Sequence, residues 1–382
     1  MRSLLVCSLL MSVTVSVHAR NGATEDVENI SSSRALVLDD AFSSLLKKHK
    51  INTAGIAVIK NGRVHWQNQY GNQSTGVPAS AHTLYNVASI TKTVTTQTIL
   101  RLVADGKLSL DESISAYWVD PDLKDDPNHQ KLTARMLLTH TSGLPNWRFL
   151  TEGFKLKFVN PPGTKFGYSG EGFQYLMRYA EGKMGRPFED LVRTYVFDPL
   201  HMLDVSVSVR QKNFPRIAQS LDENQKFYGY YCRPEGYCRE EGSVSAAGDM
   251  VITVADYAKF LIAAMDDTRL SSALKQERDN IQVTSYAIDC SQSPDVLCPS
   301  RLGYGLGWNV TQLGNDKLIG HAGSDWASVT LAYYYQNSRD GLIIFLNAPN
   351  KAGLAGMVAA LELLDPDSPK LHEYRARVAR DN

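Results

Sequence analysis

The first part of the chain shows two regular patterns of hydrophobic and polar positions. Apolar residues recur at helical spacing over residues 35–50, which predicts a helix. Two strand-like runs follow, AGIAVIK and RVHWQNQYG, and Asn61-Gly62 joins them. Because both residues of an Asn-Gly turn tolerate positive φ, this pattern predicts a β-hairpin. The apolar face of the predicted helix consists of Leu36, Leu38, Phe42, Leu45 and Leu46.

The rest of the chain has a helical middle and a strand-rich end. Residues 89–104 follow a helical pattern that stops at Gly106. Residues 110–290 alternate helical stretches with long loops and show no convincing strand runs. Strands return in LGYGLGWNVT, KLIGHAG, WASVTLAYYYQ and GLIIFLNA, before a final helix at about residues 352–364. Strands at both ends with helices between them predict one sheet built from both termini, into which a helical lobe is inserted.

The N-terminal residues have the layout of a secretory signal peptide. Arg2 precedes an apolar run, and small residues lead to a predicted cleavage after Ala19. The alternative is a membrane anchor, but the run is shorter than the roughly 20 residues a spanning helix needs. We therefore expect a signal peptide at 1–19, a flexible leader at 20–34 and a C-terminal tail at 366–382, in an exported protein, periplasmic or secreted, without a stable membrane anchor.

Composition narrows the class of partner. The chain is 43% apolar and 21% charged, and its 40 basic residues balance its 40 acidic residues. Such a balance gives no long-range field that would attract nucleic acid. We expect a small-molecule or peptide substrate and no nucleic-acid partner, and the sequence leaves the oligomeric state open.

The cysteine count fits an oxidising compartment. Removal of the signal peptide takes Cys7 and leaves an even number of cysteines, which predicts two disulfides in an exported chain. Short sequence separations favour Cys232–Cys238 and Cys290–Cys298, although other pairings remain open. These cysteines lack CxxC spacing and nearby histidines, so we expect no metal site.

Ser89 and Lys92 form one of three Ser-x-x-Lys matches in the chain. A serine nucleophile needs a base within reach, and residues i and i+3 share a helix face. Lysine serves as that base only if burial or a nearby cation lowers its pKa from about 10.4. The alternative is a capping serine beside a solvated lysine. The remaining matches are Ser44/Lys47, which we expect on a solvated helix face, and Ser272/Lys275.

Two further stretches carry candidate chemistry. The loop PPGTKFGYSGEGF delivers Tyr168 ahead of a predicted helix, where its phenol could move protons or simply pack at a seam. His321 lies in KLIGHAGS, the only His-x-Gly of the chain, and Gly323 would let the backbone of Ser324 approach a ligand closely. A lone strand histidine is more often structural, and we also read His140 as structural.

The order Ser-x-x-Lys, Tyr-x-Gly, His-x-Gly resembles the serine β-lactamase and penicillin-binding-protein superfamily. The branch it is most similar to contains class C β-lactamases, D-aminopeptidases and esterases. The resemblance extends to YNVASITKTVT, GKLSLDESI, LTARMLLTHTSGLP, PPGTKFGYSG, AAGDMVITVADYAKFL and GYGLGW with GHAGS. It implies an α/β (α+β) β-lactamase-like fold at 35–365, with an antiparallel sheet flanked by helices. The sheet lobe would span about 35–85 and 300–365, and a mainly helical lobe about 86–299.

The resemblance also implies roles for individual residues. Ser89 would be the acylated nucleophile, Lys92 its proton partner and Tyr168 the general base that protonates the leaving group. The backbone N–H groups of Ser89 and Ser324 would form the oxyanion hole. His321, with Gly323, would occupy the third-motif position, where many lactamases carry a lysine that binds the substrate carboxylate. No cofactor is implied.

Two departures from the family pattern bear on the substrate. Histidine replaces that lysine at position 321, and Gly170 replaces a frequent asparagine that contacts substrate. The histidine is commoner in relatives that act on peptides or esters, whereas the absence of the asparagine amide argues against amide recognition and leaves room for esters. We therefore expect a serine hydrolase of D-amino-acid peptides or small esters, with β-lactams as further candidate substrates. The alternative is a catalytically weak penicillin-binding or sensor protein that acylates without efficient turnover. The aromatic-rich residues 222–242 would form a wall of the substrate cleft.

Overall fold

The computed structural model describes residues 32–291 and 293–381. The predicted signal peptide at 1–19, residues 20–31 of the predicted leader, and Cys7 lie outside the described residues. The first helix begins at Ser32, slightly before its predicted start, so the end of the predicted leader belongs to that helix.

Helices lie at both ends of the described chain and through its middle. In chain order they are α1 (Ser32–His49), α2 (Thr91–Ala104), α3 (Ala134–Leu138), α4 (Gly170–Met184), α5 (Phe188–Val192), α6 (Val254–Met265), α7 (Ser272–Asp279), α8 (Asn350–Leu364) and α9 (Lys370–Asp381).

The strands concentrate near the two ends of the chain. They are β1 (Thr53–Lys60), β2 (Arg63–Ser74), β3 (Val77–Pro78), β4 (Tyr85–Asn86), β5 (Val205–Ser206), β6 (Val251–Ile252), β7 (Val283–Thr284), β8 (Arg301–Tyr304), β9 (Asn309–Leu313), β10 (Asp316–Ser324), β11 (Ser328–Tyr335) and β12 (Gly341–Asn347).

One large antiparallel sheet forms the centre of the fold. Its strand order is β3-β2-β1-β12-β11-β10-β9-β8-β7. The predicted hairpin is present, with Asn61 and Gly62 at φ values of 49° and 73° between β1 and β2. Strand β1 also pairs with β12, from Thr53 opposite Asn347 onward, so the two ends of the chain meet in mid-sheet. The α/β fold class with an antiparallel sheet flanked by helices is confirmed.

The sheet buries a different cluster on each face. On one face α1, α8 and α9 cover a core that includes Phe42, Leu331 and Tyr374. On the other face the helices of the middle segment cover a core that includes Val94 and Phe345. Strands that are apolar on both faces, such as β12, read as continuous hydrophobic runs because each face packs against helices.

Two parts of the fold differ from the sequence predictions. The middle segment contains the two-residue strands β5, β6 and β7, and β6 pairs with β4 and β5 in a small second sheet. Strands this short do not repeat often enough to show an alternating pattern, which is why 110–290 shows no convincing strand runs in the sequence. The residues predicted as a tail contain α9, whose Leu371 and Tyr374 are fully buried.

The cysteines form the two favoured pairs. Cys232–Cys238 and Cys290–Cys298 are disulfides, and both lie in loops between elements of the middle segment and the end of the sheet. Within the described ranges, none of the helices combines the length and the apolar character that crossing a bilayer would require.

Candidate active site

Ser89 lies in a tight turn that hydrogen bonds hold in place. A 3-10 turn, Ala88–Ile90, carries it directly ahead of α2. Ala88 has a φ of 45°, in the left-handed region that non-glycine residues rarely adopt. Its N–H donates to the side-chain oxygen of Asn86 at 2.9 Å, and the Thr91 hydroxyl donates to its carbonyl at 2.6 Å. These bonds support an unusual backbone at the residue that precedes the candidate nucleophile.

Lys92 is buried beside Ser89. Its side chain has no exposed surface, and its Nζ donates to the Ser89 hydroxyl at 3.1 Å and to the Ala247 carbonyl at 2.6 Å. Burial lowers the pKa of Lys92 to about 7, although the nearby charge of Asp249 opposes this shift. A large fraction of the amine is therefore neutral at neutral pH, which is what a base for a serine hydroxyl requires.

Tyr168 completes this group from the loop that precedes α4. Its ring centroid lies 4.9 Å from Nζ of Lys92, and its phenol is close enough to Ser89 for that side chain to act on its pKa. Burial raises the pKa of Tyr168 above its ordinary value, so the phenol stays protonated at neutral pH. The three residues predicted from the first two motifs thus converge in one place, with Lys92 between Ser89 and the ring of Tyr168.

His321 lies on β10, close to the same group. Its ring is 6.3 Å from the ring of Tyr168, and its Nε2 is 3.5 Å from the hydroxyl of Tyr304. Its Nδ1 is 2.6 Å from the Ala322 carbonyl, to which it can donate. Burial, with the charge of Lys92, lowers the pKa of His321 to about 3. The imidazole is therefore neutral at physiological pH, and this position carries no cation.

Gly323 allows β10 to lie directly against the turn that carries Ser89. A Cβ at this position would lie 2.3 Å from the carbonyl oxygen of Val87 and 2.3 Å from the hydroxyl of Thr330. No larger residue fits there without moving the turn. Ser324 follows at the end of β10, lines the cavity, and accepts a hydrogen bond from the Asn350 side chain at 3.0 Å.

Gly170 is the first residue of α4, and an indole lies against it. A Cβ on Gly170 would lie 2.6 Å from the ring of Trp147, so Trp147 fills the space that a side chain at 170 would need. The N–H of Gly170 donates to the side-chain oxygen of Asn146 at 3.0 Å. Asn146 and Trp147 both line the cavity, whereas Gly170 lies behind them.

Ser89, Tyr168 and His321 border one open cavity of about 1680 Å³, as do Gly323 and Ser324, and Lys92 lies buried behind Ser89. One wall comes from the segment 222–242, including the disulfide between Cys232 and Cys238. The prediction that this segment borders the cleft agrees with its position. The second disulfide, between Cys290 and Cys298, does not itself line the cavity. Across residues 32–291 and 293–381, no group of three or more His, Cys, Asp or Glu side chains could hold a metal ion.

Sequence reasoning missed several residues of the site. Ala247 holds Lys92 through a backbone carbonyl, so its side chain gives no signal. Asn146 and Trp147 follow the segment LTHTSGLP, which was recognised as a family segment, but their approach to Gly170 depends on tertiary packing. His140 was read as structural, and it packs 4.4 Å from the ring of Tyr168.

Solved structures with this fold include penicillin-binding proteins, a lactamase and an amidase. The chain superposes on an octameric penicillin-binding protein homologue from Pyrococcus abyssi with a TM-score of 0.69 and 21% identity, over 91% of this chain and 81% of that one. A class C beta-lactamase mutant gives a TM-score of 0.69 at 18% identity, over 88% and 99%. D-amino acid amidase from Ochrobactrum anthropi SV3 gives 0.62 at 22%, over 81% and 92%. At these identities the likeness bears on the fold.

Curated relatives and a family profile extend the comparison. The chain is 27% identical to protein flp of Staphylococcus aureus over 194 residues, which are 46% of this chain and only 39% of that protein. It is 25% identical to penicillin-binding protein 4 of Amycolatopsis lactamdurans over 307 residues, which are 75% and 78% of the two chains. The profile of the beta-lactamase family matches residues 38–365. With its fold and most of its length matched in this way, the chain belongs to the beta-lactamase family.

Proposed function

We propose that the protein is a serine hydrolase that forms an acyl-enzyme at Ser89. The observation that carries this proposal is the burial of Lys92, whose amine has a pKa of about 7 and lies 3.1 Å from the Ser89 hydroxyl. An exposed lysine would remain charged and could not accept the proton of a serine.

The proposed reaction divides the proton transfers between two groups. The Ser89 hydroxyl attacks the substrate carbonyl and gives its proton to neutral Lys92. The backbone N–H groups of Ser89 and Ser324 stabilise the resulting oxyanion. As the tetrahedral intermediate collapses, the phenol of Tyr168 gives its proton to the leaving group, and the ammonium of Lys92 reprotonates the phenol. Water then attacks the acyl-enzyme, loses a proton to the same amine–phenol pair, and releases Ser89.

The protonation states favour this assignment over one with a phenolate base. Burial raises the pKa of Tyr168, which makes the phenol a proton donor at neutral pH, whereas burial lowers the pKa of Lys92, which makes the amine an acceptor. Two groups whose environments shift their pKa values in opposite directions match the roles of acid and base.

We propose D-amino-acid peptides and small esters as the substrate class. His321 is neutral and stands where many lactamases place a lysine, so the third motif offers no cation for the carboxylate of a β-lactam. The fold likeness to a D-amino acid amidase is consistent with this class. We also propose that the protein is exported, since its two disulfides suit an oxidising compartment.

The second candidate is a penicillin-binding or sensor protein that acylates without efficient turnover. The specific observation in its favour is Gly170, because the amide that many relatives place there to contact substrate is replaced by the face of Trp147. This candidate shares the nucleophile and differs only in the lifetime of the acyl-enzyme.

Intact-protein mass spectrometry tests both candidates. Wild type and Ser89→Ala would be mixed with a penicillin, a D-alanyl peptide and a p-nitrophenyl ester, while product release is followed in parallel. We expect turnover that depends on Ser89, fastest with the peptide or the ester. A stable Ser89 adduct without product release would favour the sensor, and equal turnover by wild type and Ser89→Ala would contradict the mechanism.

A further inference from the structure

His140 binds the chain on both sides of Tyr168. Its carbonyl accepts the N–H of Gly167 at 2.8 Å, and its Nδ1 accepts the N–H of Ser169 at 3.1 Å. Its ring packs on the ring of Tyr168, with centroids 4.4 Å apart and planes 35° apart. A single residue therefore holds the preceding peptide, the following peptide and the ring of the proposed proton donor.

The backbone of His140 is specialised for this contact. Its φ is 57°, in the left-handed region, where histidine and asparagine are found more often than most residues with a side chain. The residue is fully buried, and the rings of Phe173 and Tyr304 lie 5.3 Å and 4.8 Å from its own. A strained, buried conformation of this kind persists only where its surroundings fix it, and here the surroundings are the site itself.

The imidazole has a defined protonation state. Nδ1 accepts the N–H of Ser169, so the ring proton is on Nε2. Burial, with the charge of Lys92, holds the pKa of His140 well below its ordinary value. The ring therefore keeps its acceptor over the whole range in which Lys92 changes charge.

We infer that His140 is a positioning residue that holds the phenol of Tyr168 in place on Ser89. This inference rests on the proposed function, since it assumes that Tyr168 protonates the leaving group. His140 acts only through Tyr168, by fixing the peptides on either side of it and the plane of its ring. Without the Nδ1 acceptor, the Ser169 N–H would be left buried and unpaired, and the loop would move to satisfy it.

Two variants separate the acceptor from the ring. His140→Phe keeps the packed ring and removes the acceptor. His140→Asn offers a side-chain oxygen close to the position of Nδ1 and tolerates positive φ. We expect His140→Phe to lose about tenfold to a hundredfold in kcat/KM for phenyl acetate, which is within the range of a lost general acid, and His140→Asn to recover most of that loss.

The leaving group shows whether the effect passes through Tyr168. Phenyl acetate and p-nitrophenyl acetate form the same acyl-enzyme, but p-nitrophenolate leaves readily without protonation. The loss in His140→Phe should therefore be several-fold smaller with the nitrophenyl ester. It should also largely disappear in a Tyr168→Phe background, because residues that act as one unit are not additive.

A matched control is available at His201, which is exposed and also has a positive φ, of 50°. His201→Phe should leave kcat/KM at its wild-type value for both phenyl acetate and p-nitrophenyl acetate. Equal losses with the two esters, or an Asn variant no better than the Phe variant, would overturn the positioning role. If His140→Phe does not fold, His140→Met carries the same expectation. Loss of Ser89 dependence in wild type would instead overturn the proposed function.

A second inference comes from Arg233, on the cavity wall formed by 222–242. The carbon of its guanidinium lies 3.8 Å from the ring centroid of Phe149, 5.2 Å from that of Trp326 and 5.3 Å from that of Tyr237. The backbone N–H of Arg233 donates to the backbone carbonyl of Tyr237 at 2.8 Å, inside the loop that the Cys232–Cys238 disulfide closes. Three aromatic rings and a closed loop thus restrict this arginine.

Among the described residues, no carboxylate forms an ion pair with Arg233. Arg239 of the same wall, in contrast, pairs with Asp249 at 2.6 Å. Stacking uses the faces of the guanidinium and leaves its N–H donors in the ring plane, where a carboxylate can accept two of them. Trp326, one of the three rings, comes two positions after Ser324, and Arg233 and Ser324 line the same cavity.

We propose that Arg233 binds a carboxylate of the substrate, in place of the cation that His321 does not provide. This proposal also rests on the proposed function, because it concerns the same cavity. It predicts a preference for anionic over neutral substrates of equal size, which the neutral His321 and the buried Lys92 could not produce.

Paired esters test this preference on both sides of the scissile bond. One pair is p-nitrophenyl hydrogen glutarate and p-nitrophenyl valerate, and the other is 4-carboxyphenyl valerate and phenyl valerate. With Arg233→Gln we expect kcat/KM for the anionic member of at least one pair to fall about tenfold, with the neutral member within about threefold. Lys226→Gln removes the same charge from an exposed position of this segment and should leave the ratios unchanged. Unchanged ratios in both pairs for Arg233→Gln would overturn the proposal, whereas failure of the proposed function would abolish Ser89-dependent turnover of all four esters.

Discussion

Ser44/Lys47 and Ser89/Lys92 share the same spacing and lie in opposite environments. Ser44 and Lys47 are exposed on α1, where Lys47 belongs to a basic last turn. Lys92 is fully buried at the start of α2 and donates to Ser89 and to a backbone carbonyl. Both pairs place a lysine one helical turn after a serine, so spacing does not distinguish them.

The difference between the two pairs lies in solvation. Water stabilises the ammonium of an exposed lysine, whereas the same group loses that stabilisation when it is buried without a carboxylate partner. At Lys92 the result is a pKa of about 7, close to the pH at which the enzyme would work. A Ser-x-x-Lys pair becomes a nucleophile and base only where the fold removes water from the amine.

The largest effect is expected at the two serines. Ser89→Ala should abolish turnover of a p-nitrophenyl ester, because it removes the hydroxyl that lies beside the amine of Lys92, while Ser44→Ala should match wild type. Steady-state assays with both variants, after confirmation of equal folding by circular dichroism, make this check. Comparable activity losses in the two variants would remove the distinction between the pairs.

Replacement of Lys92 should lower activity and raise stability, whereas replacement of Lys47 should affect neither. Lys92→Met should lower kcat/KM by about 10²–10⁴-fold through loss of the base. It should also raise the free energy of unfolding at neutral pH by several kcal/mol, because burial lowers the pKa of Lys92 from 10.5 to about 7 and each unit corresponds to about 1.4 kcal/mol. Lys47→Met should change neither quantity appreciably. Denaturant titrations measure the free energy of unfolding. A Lys92→Met variant less stable than wild type would contradict the inference that burial of the charged amine costs stability.

The pH dependence follows from the same shift. Lys92 must be neutral to act, so kcat/KM should fall about tenfold per unit below pH 7 and level off above it. The folded-state pKa is below the ordinary value of 10.5, so the unfolded chain binds more protons between pH 7 and 10.5. Stability should therefore rise with pH across that window relative to Lys92→Met, and below pH 7 the difference should be constant. A flat kcat/KM profile from pH 6 to 8 would be inconsistent with this base.

The smallest effect is expected at the third motif. His321→Lys should improve KM for carboxylate-bearing β-lactams several-fold, because an ammonium would replace a neutral ring near Tyr168. Michaelis constants for a penicillin and for a neutral ester, measured on both proteins, give the selectivity. Unchanged selectivity would place this residue outside the substrate contact surface.

Much of the fold follows from local sequence signals. The hairpin of β1 and β2 was predictable because an Asn-Gly dipeptide between two apolar runs is typical of a two-residue hairpin turn. Strand β12 was predictable because a sheet covered on both faces needs a continuous apolar run. Helix α9 was missed although Leu371, Tyr374 and Val378 recur at helical spacing, since its high charge concealed the pattern.

The sequence was enough to predict which residues meet at the candidate site, but not the burial that sets their pKa values. Motif order identified Ser89, Lys92 and Tyr168, but the burial that lowers the pKa of Lys92 comes from the packing of separate segments around it. The contact of His140 with Tyr168 depends on a positive φ and on a loop conformation that no short pattern encodes. Tertiary contacts of this kind leave no periodic signal in the sequence.

The pairing of β1 with β12 has a consequence for how the chain reaches its native state. Thr53 and Asn347 are neighbours in the sheet although most of the chain separates them. Such long-range pairing slows folding, because loop closure costs entropy before the contacts form. During synthesis β1 cannot pair with β12 until β12 has left the ribosome. The unpaired edge of β1 is exposed to aggregation during that interval.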